Sequence, residues 1–183
     1  MNLDSAAEQL QEFLSSTESK EKSKHGNKDE VVYQQWATFK VNDELFGIDV
    51  IRVKEVLRYT EITPVPGAEH YVLGIINLRG NVVTVIDTRQ LFNMERIPTD
   101  DETRIIVFEY NEQEVVGMLV DSVDEVINLP QNDVDRAPSV SGEEGGRRFV
   151  QGVCYHHETL IIILDIGKML DSIAPVEADD GWD

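Results

Sequence analysis

An internal repeat constrains the fold of this 183-residue chain more than any other feature. The stretch FKVNDELFG at residues 39–47 resembles FEYNEQEVVG at residues 108–117, with one extra residue in the second turn. The copies then stay in step, because VKEV at residues 53–56 returns as VDEV at residues 123–126, 70 positions later. The repeat therefore predicts two similar lobes.

The second copy carries an insertion. Gly74 matches Gly152 and Asp87 matches Asp165, and both pairs are 78 positions apart instead of 70, so the added residues lie between residues 126 and 152. The sequence of that stretch is loop-like. Each copy contains material for roughly five short strands, which suits a small barrel. A lone barrel of that size buries little core, so two barrels packed side by side are more stable than either alone.

Short apolar runs rich in Val, Ile and Phe indicate a mainly β fold. Polar pairs or glycines separate several of the runs, as expected for β-hairpins. Helix signals are few and short. The best two follow Asp87 and Asp165, which can act as N-caps for helices over residues 88–94 and 166–170. The strand-like runs include residues 36–41, 82–86, 104–108, 115–120 and 160–164.

The two ends of the chain differ from the body, which spans residues 31–171. Residues 1–30 are predicted to form a flexible extension, because residues 15–30 are polar and have no apolar period. Before that linker, one apolar stripe fits a short amphipathic helix that docks on its own protein or on a partner. Residues 172–183 are predicted to be an acidic, disordered tail. The stripe consists of Leu3, Ala6, Ala7, Leu10, Phe13 and Leu14.

The net charge of the chain limits the classes of partner that it can bind. The formal net charge is −19. Such a surface repels phosphate backbones and anionic lipids, which argues against binding to nucleic acid or to a membrane surface. The first residues lack the pattern of a signal peptide, and no apolar run approaches the roughly 18 residues of a membrane span. We expect a cytoplasmic protein without direct membrane insertion.

No catalytic or metal-binding constellation is evident in the sequence. His156 and His157 are adjacent on a predicted strand, so their side chains point to opposite faces and cannot ligate one ion without distortion. The single cysteine, Cys154, lies in an apolar run and is expected to be a small buried residue. Glycine-rich phosphate loops and the Gly-x-Ser-x-Gly motif are missing. The sequence predicts neither an enzyme nor a cofactor or metal site.

The two copies differ most usefully in one hairpin. Copy one reads NLRGN at residues 77–81, where copy two reads YHHET at residues 155–159. A barrel needs only a turn at this place, so the scaffold does not dictate Arg79, which makes it a functional candidate. The alternative is a solvated turn residue, with Gly80 supplying a positive φ.

Four stretches of the body make a specific pattern. Together they resemble the CheW-like family from about Gln35 to Asp171, and the Asn-Leu-Arg-Gly hairpin followed by a strand and Asp-x-Arg is the strongest signal. The resemblance implies two packed five-stranded barrels of Src-homology-3-like topology and an adaptor without enzymatic activity. The matching stretches are residues 46–56, 72–81, 83–91 and 116–123.

The resemblance also implies partners and binding residues. Family members bridge the cytoplasmic tips of methyl-accepting chemoreceptors and the regulatory domain of the histidine kinase CheA, in membrane-associated receptor arrays. An apolar kinase-binding face on the first barrel is implied, with Ile48 and Val50 as candidates. The receptor-binding residues carried over to this chain, in the groove between the barrels, are Val53, Glu55, Val56, Gly74 and Arg79.

Three alternatives remain open from the sequence. The chain could be a coupling protein of the same fold in another chemosensory pathway, for surface motility or surface sensing. It could be part of a larger signalling protein such as CheA or CheV, although the kinase or receiver segments that these need are not in this sequence. It could also be a small hydrolase or a barrel that binds a small molecule, for which no motif gives positive support.

Overall fold

The computed structural model describes Glu8, Leu10 and residues 31–112, 114–136 and 148–173. Most predictions for the two termini, and much of the insertion in the second copy, therefore lie outside the described residues. The described strands are β1 (Tyr33–Val41), β2 (Glu44–Asp49), β3 (Val53–Arg58), β4 (Val72–Leu78), β5 (Asn81–Asp87), β6 (Arg104–Glu109), β7 (Val115–Val120), β8 (Ser122–Pro130), β9 (Asp135–Arg136), β10 (Val150–His156) and β11 (Thr159–Leu164).

The helices are short, as predicted. The first, α1 (Thr88–Leu91), ends earlier than expected, whereas the second, α2 (Ile166–Ile173), extends into the segment predicted to be a disordered tail. The described 3-10 turns include η1 (Val50–Arg52) and η2 (Gln131–Asp133). Within the described ranges, no helix is long and apolar enough to span a membrane.

Both predicted N-caps are confirmed. Asp87 accepts a hydrogen bond from the backbone N–H of Arg89 at 3.0 Å. Asp165 accepts one from the N–H of Lys168 at 3.1 Å. Each carboxylate satisfies a backbone donor that the first helical turn leaves without an intrahelical partner. Burial raises the pKa of Asp87, against the hydrogen bonds and nearby arginines that lower it. The two matched aspartates thus serve the fold.

The strands form two sheets, and each sheet draws strands from both repeat copies. One sheet has the order β8-β1-β2-β11-β10-β9, and we call it the terminal barrel. The other has the order β3-β6-β7-β5-β4, and we call it the middle barrel. The hairpin β1–β2 of copy one lies between strands of copy two, and β6–β7 of copy two lies between strands of copy one. The mainly β fold with two lobes is confirmed, but each lobe is not one copy.

The exchange rests on two parallel pairings. β2 pairs with β11, and β5 pairs with β7, so the first hairpin of each copy joins the last strand of the other. Because each copy lends its first hairpin to the other sheet, neither copy contains a complete sheet of its own. The terminal barrel also has a sixth strand, β9, where five strands were expected.

Each sheet closes through the chain segment that follows one of its outermost strands, β3 in the middle barrel and β8 in the terminal barrel. In the middle barrel, Thr63 pairs with Ile75 of β4 beyond the end of β3. In the terminal barrel, Asp135 of β9 pairs with Val153 of β10 beyond the end of β8. A matched glycine precedes each pairing residue in β4 and β10, and the glycine lets the two backbones approach closely. This shared device accounts for one of the clearest matches in the repeat.

Within the described residues, buried apolar side chains form three clusters. One lies inside the middle barrel and one inside the terminal barrel, and the largest contains residues of both sheets and both helices. We call the largest cluster the interbarrel core. β6 shows why it forms, since Ile105 and Val107 belong to the middle barrel's interior, whereas Ile106 and Phe108 belong to the interbarrel core. Strands that are apolar on both faces therefore hold the two barrels together.

The interbarrel core also includes one residue of the N-terminal extension. Leu10 is helical and 2% exposed, and it belongs to this cluster, whereas Glu8 is helical and exposed. This contrast fits the predicted amphipathic stripe, which contains Leu10 and omits Glu8. At this residue, the extension packs on its own protein.

Candidate functional site

A β-bulge in β3 turns Glu55 away from the core. The pairing of β3 with β6 shifts between Val53 and Glu55, so Lys54 is an extra residue in the ladder. Val53 and Val56 are buried in the interbarrel core at 5% and 6% exposure. The Glu55 side chain is 13% exposed and reaches the surface beside them. Bulges commonly redirect one side chain while the strand around them stays paired.

The hairpin between β4 and β5 presents Arg79 at its tip. Arg79 and Gly80 have φ values of 50° and 87°, so both lie in the left-handed region required by a tight two-residue hairpin. Asn77 supports the turn, because its Oδ1 accepts a hydrogen bond from the Gly80 N–H at 2.9 Å. For Arg79 this backbone conformation is unfavourable, since its Cβ approaches its own carbonyl group.

Arg79 and Glu55 form a two-pronged ion pair. Nη1 of Arg79 donates to Oε1 of Glu55 at 3.2 Å, and Nη2 donates to Oε2. The hydrogen bonds and the charge of Glu55 raise the pKa of the Arg79 guanidinium. Glu55 lies on β3 and Arg79 follows β4, and these are the two outermost strands of the middle sheet. The pair thus crosses the seam along which the barrel closes.

The ion pair is open to solvent on the side of the arginine. The Arg79 side chain is 68% exposed, against 13% for Glu55. Water and salt screen such a pair strongly, so it adds little to folding stability. What it does supply is a guanidinium held in one orientation at the surface.

Among the described residues, the terminal barrel has no counterpart of this pair. The residues that match Glu55 and Arg79 are Glu125 and His157, and no ion pair joins these two described residues. Instead, the Glu125 backbone N–H donates to Oγ1 of Thr38 at 3.0 Å. The hairpin turn itself is the same, with φ values of 50° at His157 and 65° at Glu158. The barrel fold therefore forms without the Arg–Glu pair.

Gly74 has a structural task that is visible in the fold. Its φ is 148°, and a Cβ atom there would lie 2.0 Å from the carbonyl oxygen of Thr63. Gly152 plays the same part in the terminal barrel, where a Cβ would lie 2.5 Å from the carbonyl oxygen of Asp135. Gly74 is also buried. The assignment of Gly74 to the receptor-binding residues stays a prediction. Barrel closure by itself explains why this residue is a glycine.

The two residues predicted for the kinase face are both buried. Ile48 is 0% and Val50 is 3% exposed, and both belong to the interbarrel core. The side chain that offers apolar surface in this segment is Ile51, which is 85% exposed. Asp49 explains why Ile51 is exposed whereas Ile48 and Val50 are buried. Its side chain caps η1 by accepting a hydrogen bond from the Ile51 N–H at 3.1 Å, and the strand ends there. In the sequence, the aspartate at the end of this apolar run was the signal that could have predicted the end of the strand.

The described residues offer little for chemistry. No group of three or more His, Cys, Asp or Glu within the described ranges is placed to hold a metal ion. Cys154 is buried, and burial raises the pKa of its thiol, as expected for an unreactive residue.

One small cavity lies beside α1, with a volume of about 30 Å³. Asp87, Asp121 and Thr103 are among the residues that line it. Arg89 crosses to Asp121 as an ion pair, with its Nε donating at 2.9 Å. A space of this size holds a water molecule or two, and ligand pockets are larger by about a factor of ten.

Comparison with known proteins agrees with this arrangement. A family model described as the CheW-like domain matches residues 35–174. The chemotaxis protein CheW of Bacillus subtilis is 34% identical over 142 residues, which cover 75% of this chain and 87% of that protein. The chemotaxis protein CheW of Klebsiella aerogenes is 32% identical over 143 residues, covering 78% of this chain and 85% of that protein.

A solved structure shows the same fold. The crystal structure of the scaffolding protein TtCheW from Thermoanaerobacter tengcongensis superposes with a TM-score of 0.65 at 32% identity, covering 73% of this chain and 89% of that one. The family match extends over most of the chain and both barrels. This chain belongs to the CheW-like domain family, whose members are chemotaxis adaptors and scaffolds rather than enzymes.

Proposed function

We propose that this chain couples methyl-accepting chemoreceptors to the histidine kinase CheA, and that it does so in the cytoplasm at membrane-associated receptor arrays. One observation carries the proposal. The Arg79–Glu55 pair is an exposed, oriented charged group in the middle barrel, and the repeat shows that the barrel fold does not need it. A group that the fold does not require, held at an unfavourable backbone conformation, is a candidate for recognition.

Arg79 is suited to bind a receptor acceptor group. Its guanidinium has five N–H donors, and the bonds to Glu55 use two of them. The other three can bind a carboxylate or a backbone carbonyl on the receptor, in the planar geometry that lysine lacks. Val53 and Val56 lie beneath this surface in the interbarrel core. Their part in binding is to hold β3, and with it Glu55, in place.

The kinase contact is proposed for the apolar surface around η1. Ile51 is 85% exposed, and η1 lies next to β1, whose first residue Tyr33 is 58% exposed. Large apolar side chains at a surface are typical of the centre of a protein–protein interface. Ile48 and Val50 would act from below by fixing the position of η1. Tyr33 belongs to the terminal barrel and η1 connects β2 of that barrel to β3, whereas Arg79 lies at the β4–β5 hairpin of the middle barrel, so the two contacts use different parts of the surface.

A binding experiment tests the coupling function directly. The purified chain is titrated with a receptor signalling fragment, with a CheA-like kinase and with both together. We expect both binary complexes and a ternary complex, because the proposed surfaces are separate. Arg79→Ala should weaken the receptor complex and leave the kinase complex intact, and Ile51→Ser should do the reverse. Binding of neither partner, or mutually exclusive binding, would contradict the proposal.

A further inference from the structure

We infer that Asn77 is the positioning residue for Arg79, and that its side-chain hydrogen bond to Gly80 sets the direction in which the guanidinium is presented to the receptor. The inference rests on the proposed receptor contact of Arg79. It assigns a specific task to a side chain that precedes the turn and takes no part in the ion pair.

The geometry of the turn supports the assignment. Oδ1 of Asn77 accepts the N–H of Gly80 at 2.9 Å, so the side chain bridges the tip of the hairpin from one side. Arg79 lies between the two bonded residues. Its Cα position and the direction of its Cα–Cβ bond are therefore restricted by this bond together with the pairing of Leu78 with Asn81. Asn side chains commonly stabilise turns by bonding to a nearby backbone group.

Gly80 explains why such a bond is needed. It has no Cβ, and a Cβ built there would meet no atom within 4 Å, so no side-chain packing restricts its backbone. Glycine adopts positive φ easily, but it also visits many other conformations. A free Gly80 would let the tip of the hairpin move, and Arg79 would move with it. The Asn77 bond removes that freedom.

The matched hairpin of the terminal barrel supplies the contrast. Tyr155 stands at the place of Asn77, and Glu158 at the place of Gly80. Tyr155 is 72% exposed and carries no acceptor that corresponds to the Asn77 Oδ1. The turn forms nevertheless, with nearly the same φ at its first residue. The Asn77 bond is therefore not required to make this turn, which leaves orientation of Arg79 as its specific contribution.

Two constraints then act on the guanidinium from opposite sides of the barrel seam. The bulge in β3 fixes Glu55, and the bonded turn fixes the backbone of Arg79. Loss of either constraint leaves the charge in place but broadens its orientations. A partner that binds the planar fork must then order it, and this lowers affinity. The size of the effect should be about fivefold, which corresponds to one ordinary hydrogen bond.

Affinity for a receptor signalling fragment tests the inference. Asn77→Ala should weaken binding about fivefold, and Asn77→Asp, which keeps the acceptor oxygen, should restore most of the affinity. In an Arg79→Ala background, Asn77→Ala should have no further effect, because there is no guanidinium left to orient. Tyr155→Ala, the matched change in the other hairpin, should leave receptor affinity unchanged. Native-state hydrogen exchange of the Gly80 amide should become faster in Asn77→Ala but not in Asn77→Asp or Tyr155→Ala.

The outcomes separate the two hypotheses. If Arg79→Ala weakens receptor binding but Asn77→Ala does not, the positioning role is wrong and the receptor site stands. An Asn77→Ala loss of the same size in the Arg79→Ala background would also overturn the inference, since it would mean that Asn77 contacts the receptor or only stabilises the fold. If Arg79→Ala itself has no effect, the proposed receptor site fails, and the inference fails with it.

Discussion

The hairpins β4–β5 and β10–β11 occupy matched places in the two barrels and differ in their chemistry. Both make tight turns with positive φ at two successive residues. The first turn consists of Arg79 and Gly80, and the second of His157 and Glu158. Only the first connects to its own sheet edge through an ion pair, which joins Arg79 to Glu55. The fold explains Gly74 and Gly152, at which the copies agree, whereas the difference between Arg79 and His157 favours binding as the explanation of Arg79.

The shared glycines show what agreement between the copies means at the closure of each sheet. Gly74 and Gly152 both lie where a sheet closes, and both leave no room for a Cβ atom. The agreement at these two glycines therefore identifies a requirement of the barrel. Five residues were assigned to the receptor site from family resemblance, and this comparison divides them. Gly74 serves closure, whereas Arg79 has no such requirement behind it.

The largest effect should come from separating the two copies. A fragment of residues 31–96 and a fragment of residues 97–173 each lack the hairpin that the other copy lends to their sheet. We expect neither fragment to show cooperative unfolding alone, whereas an equimolar mixture should regain it, because the strands exchange and share one core. Circular dichroism with denaturant titration measures this. A fragment that folds cooperatively by itself would contradict the exchanged pairing.

Substitution of the closure glycines should have the next largest effect. Gly74→Ala should destabilise the fold by about 3–5 kcal/mol, because Cβ would clash with backbone that cannot move aside. Gly152→Ala should cost somewhat less, since its clash is 2.5 Å rather than 2.0 Å. Denaturant unfolding gives both values. Gly80→Ala is the control, with open space around it and a cost of about 1 kcal/mol for its positive φ. Equal effects at Gly74 and Gly80 would be evidence against the closure account.

Substitutions at the nearby residues Ile48 and Ile51 should distinguish the role of a core side chain from that of a surface side chain. Ile48→Ala should lower the free energy of unfolding by about 2–4 kcal/mol, because it leaves a cavity in the interbarrel core. Ile51→Ala should change it by only about 0.5 kcal/mol, as for an exposed site. When kinase affinity is calculated for the folded fraction only, Ile51→Ala should lower it more than Ile48→Ala does. If kinase affinity is insensitive to Ile51, the proposed apolar surface is misplaced.

The smallest effect should follow from copying the arginine into the terminal barrel. His157→Arg places a guanidinium at the turn that matches Arg79, in the barrel that carries the matched Glu125. We expect a change in unfolding free energy of less than about 1 kcal/mol, which is typical of a surface pair. In the Arg79→Ala background, it should not restore receptor binding, because the charge lies on the wrong barrel. Restored affinity would show that the hairpin matters and the barrel does not.

Local chemistry made part of the fold predictable. The pair Asn42 and Asp43 forms the turn between β1 and β2, with φ values of 54° and 64°, as polar pairs of this kind favour. The N-caps at Asp87 and Asp165 are equally local, and the sequence showed both. Each of these features depends on residues within a few positions, so one chain segment contains the whole cause.

Pairing partners distant in sequence were not predictable in the same way. The repeat indicated two lobes, but β2 pairs with β11, whose residues lie more than 100 positions away. No local signal distinguishes that pairing from pairing within a copy. The burial of Ile48 and Val50 was not predictable for a related reason, and their part in kinase binding stays a prediction. Strands of this fold are buried on both faces, so alternation along β2 does not reveal which side chains are exposed.

The Glu55–Arg79 pair falls between these cases. The sequence singled out Arg79 because the second copy lacks it, and the family resemblance singled out Glu55. The bulge at Lys54, which brings the Glu55 side chain to the seam, could not be read from the residues alone. It arises from the pairing of β3 with β6, and those strands belong to different copies.

The most direct test of the account is a paired measurement on Arg79→Ala, with receptor affinity and thermal unfolding recorded on the same sample. We expect affinity to fall about tenfold or more and the unfolding midpoint to stay within about 2 °C of the parent protein. Kinase affinity should not change, and Arg79→Lys should recover only part of the loss, because lysine keeps the charge without the planar fork. Unchanged receptor affinity, or a loss that matches the unfolded fraction, would contradict the account and make Arg79 a turn residue like His157.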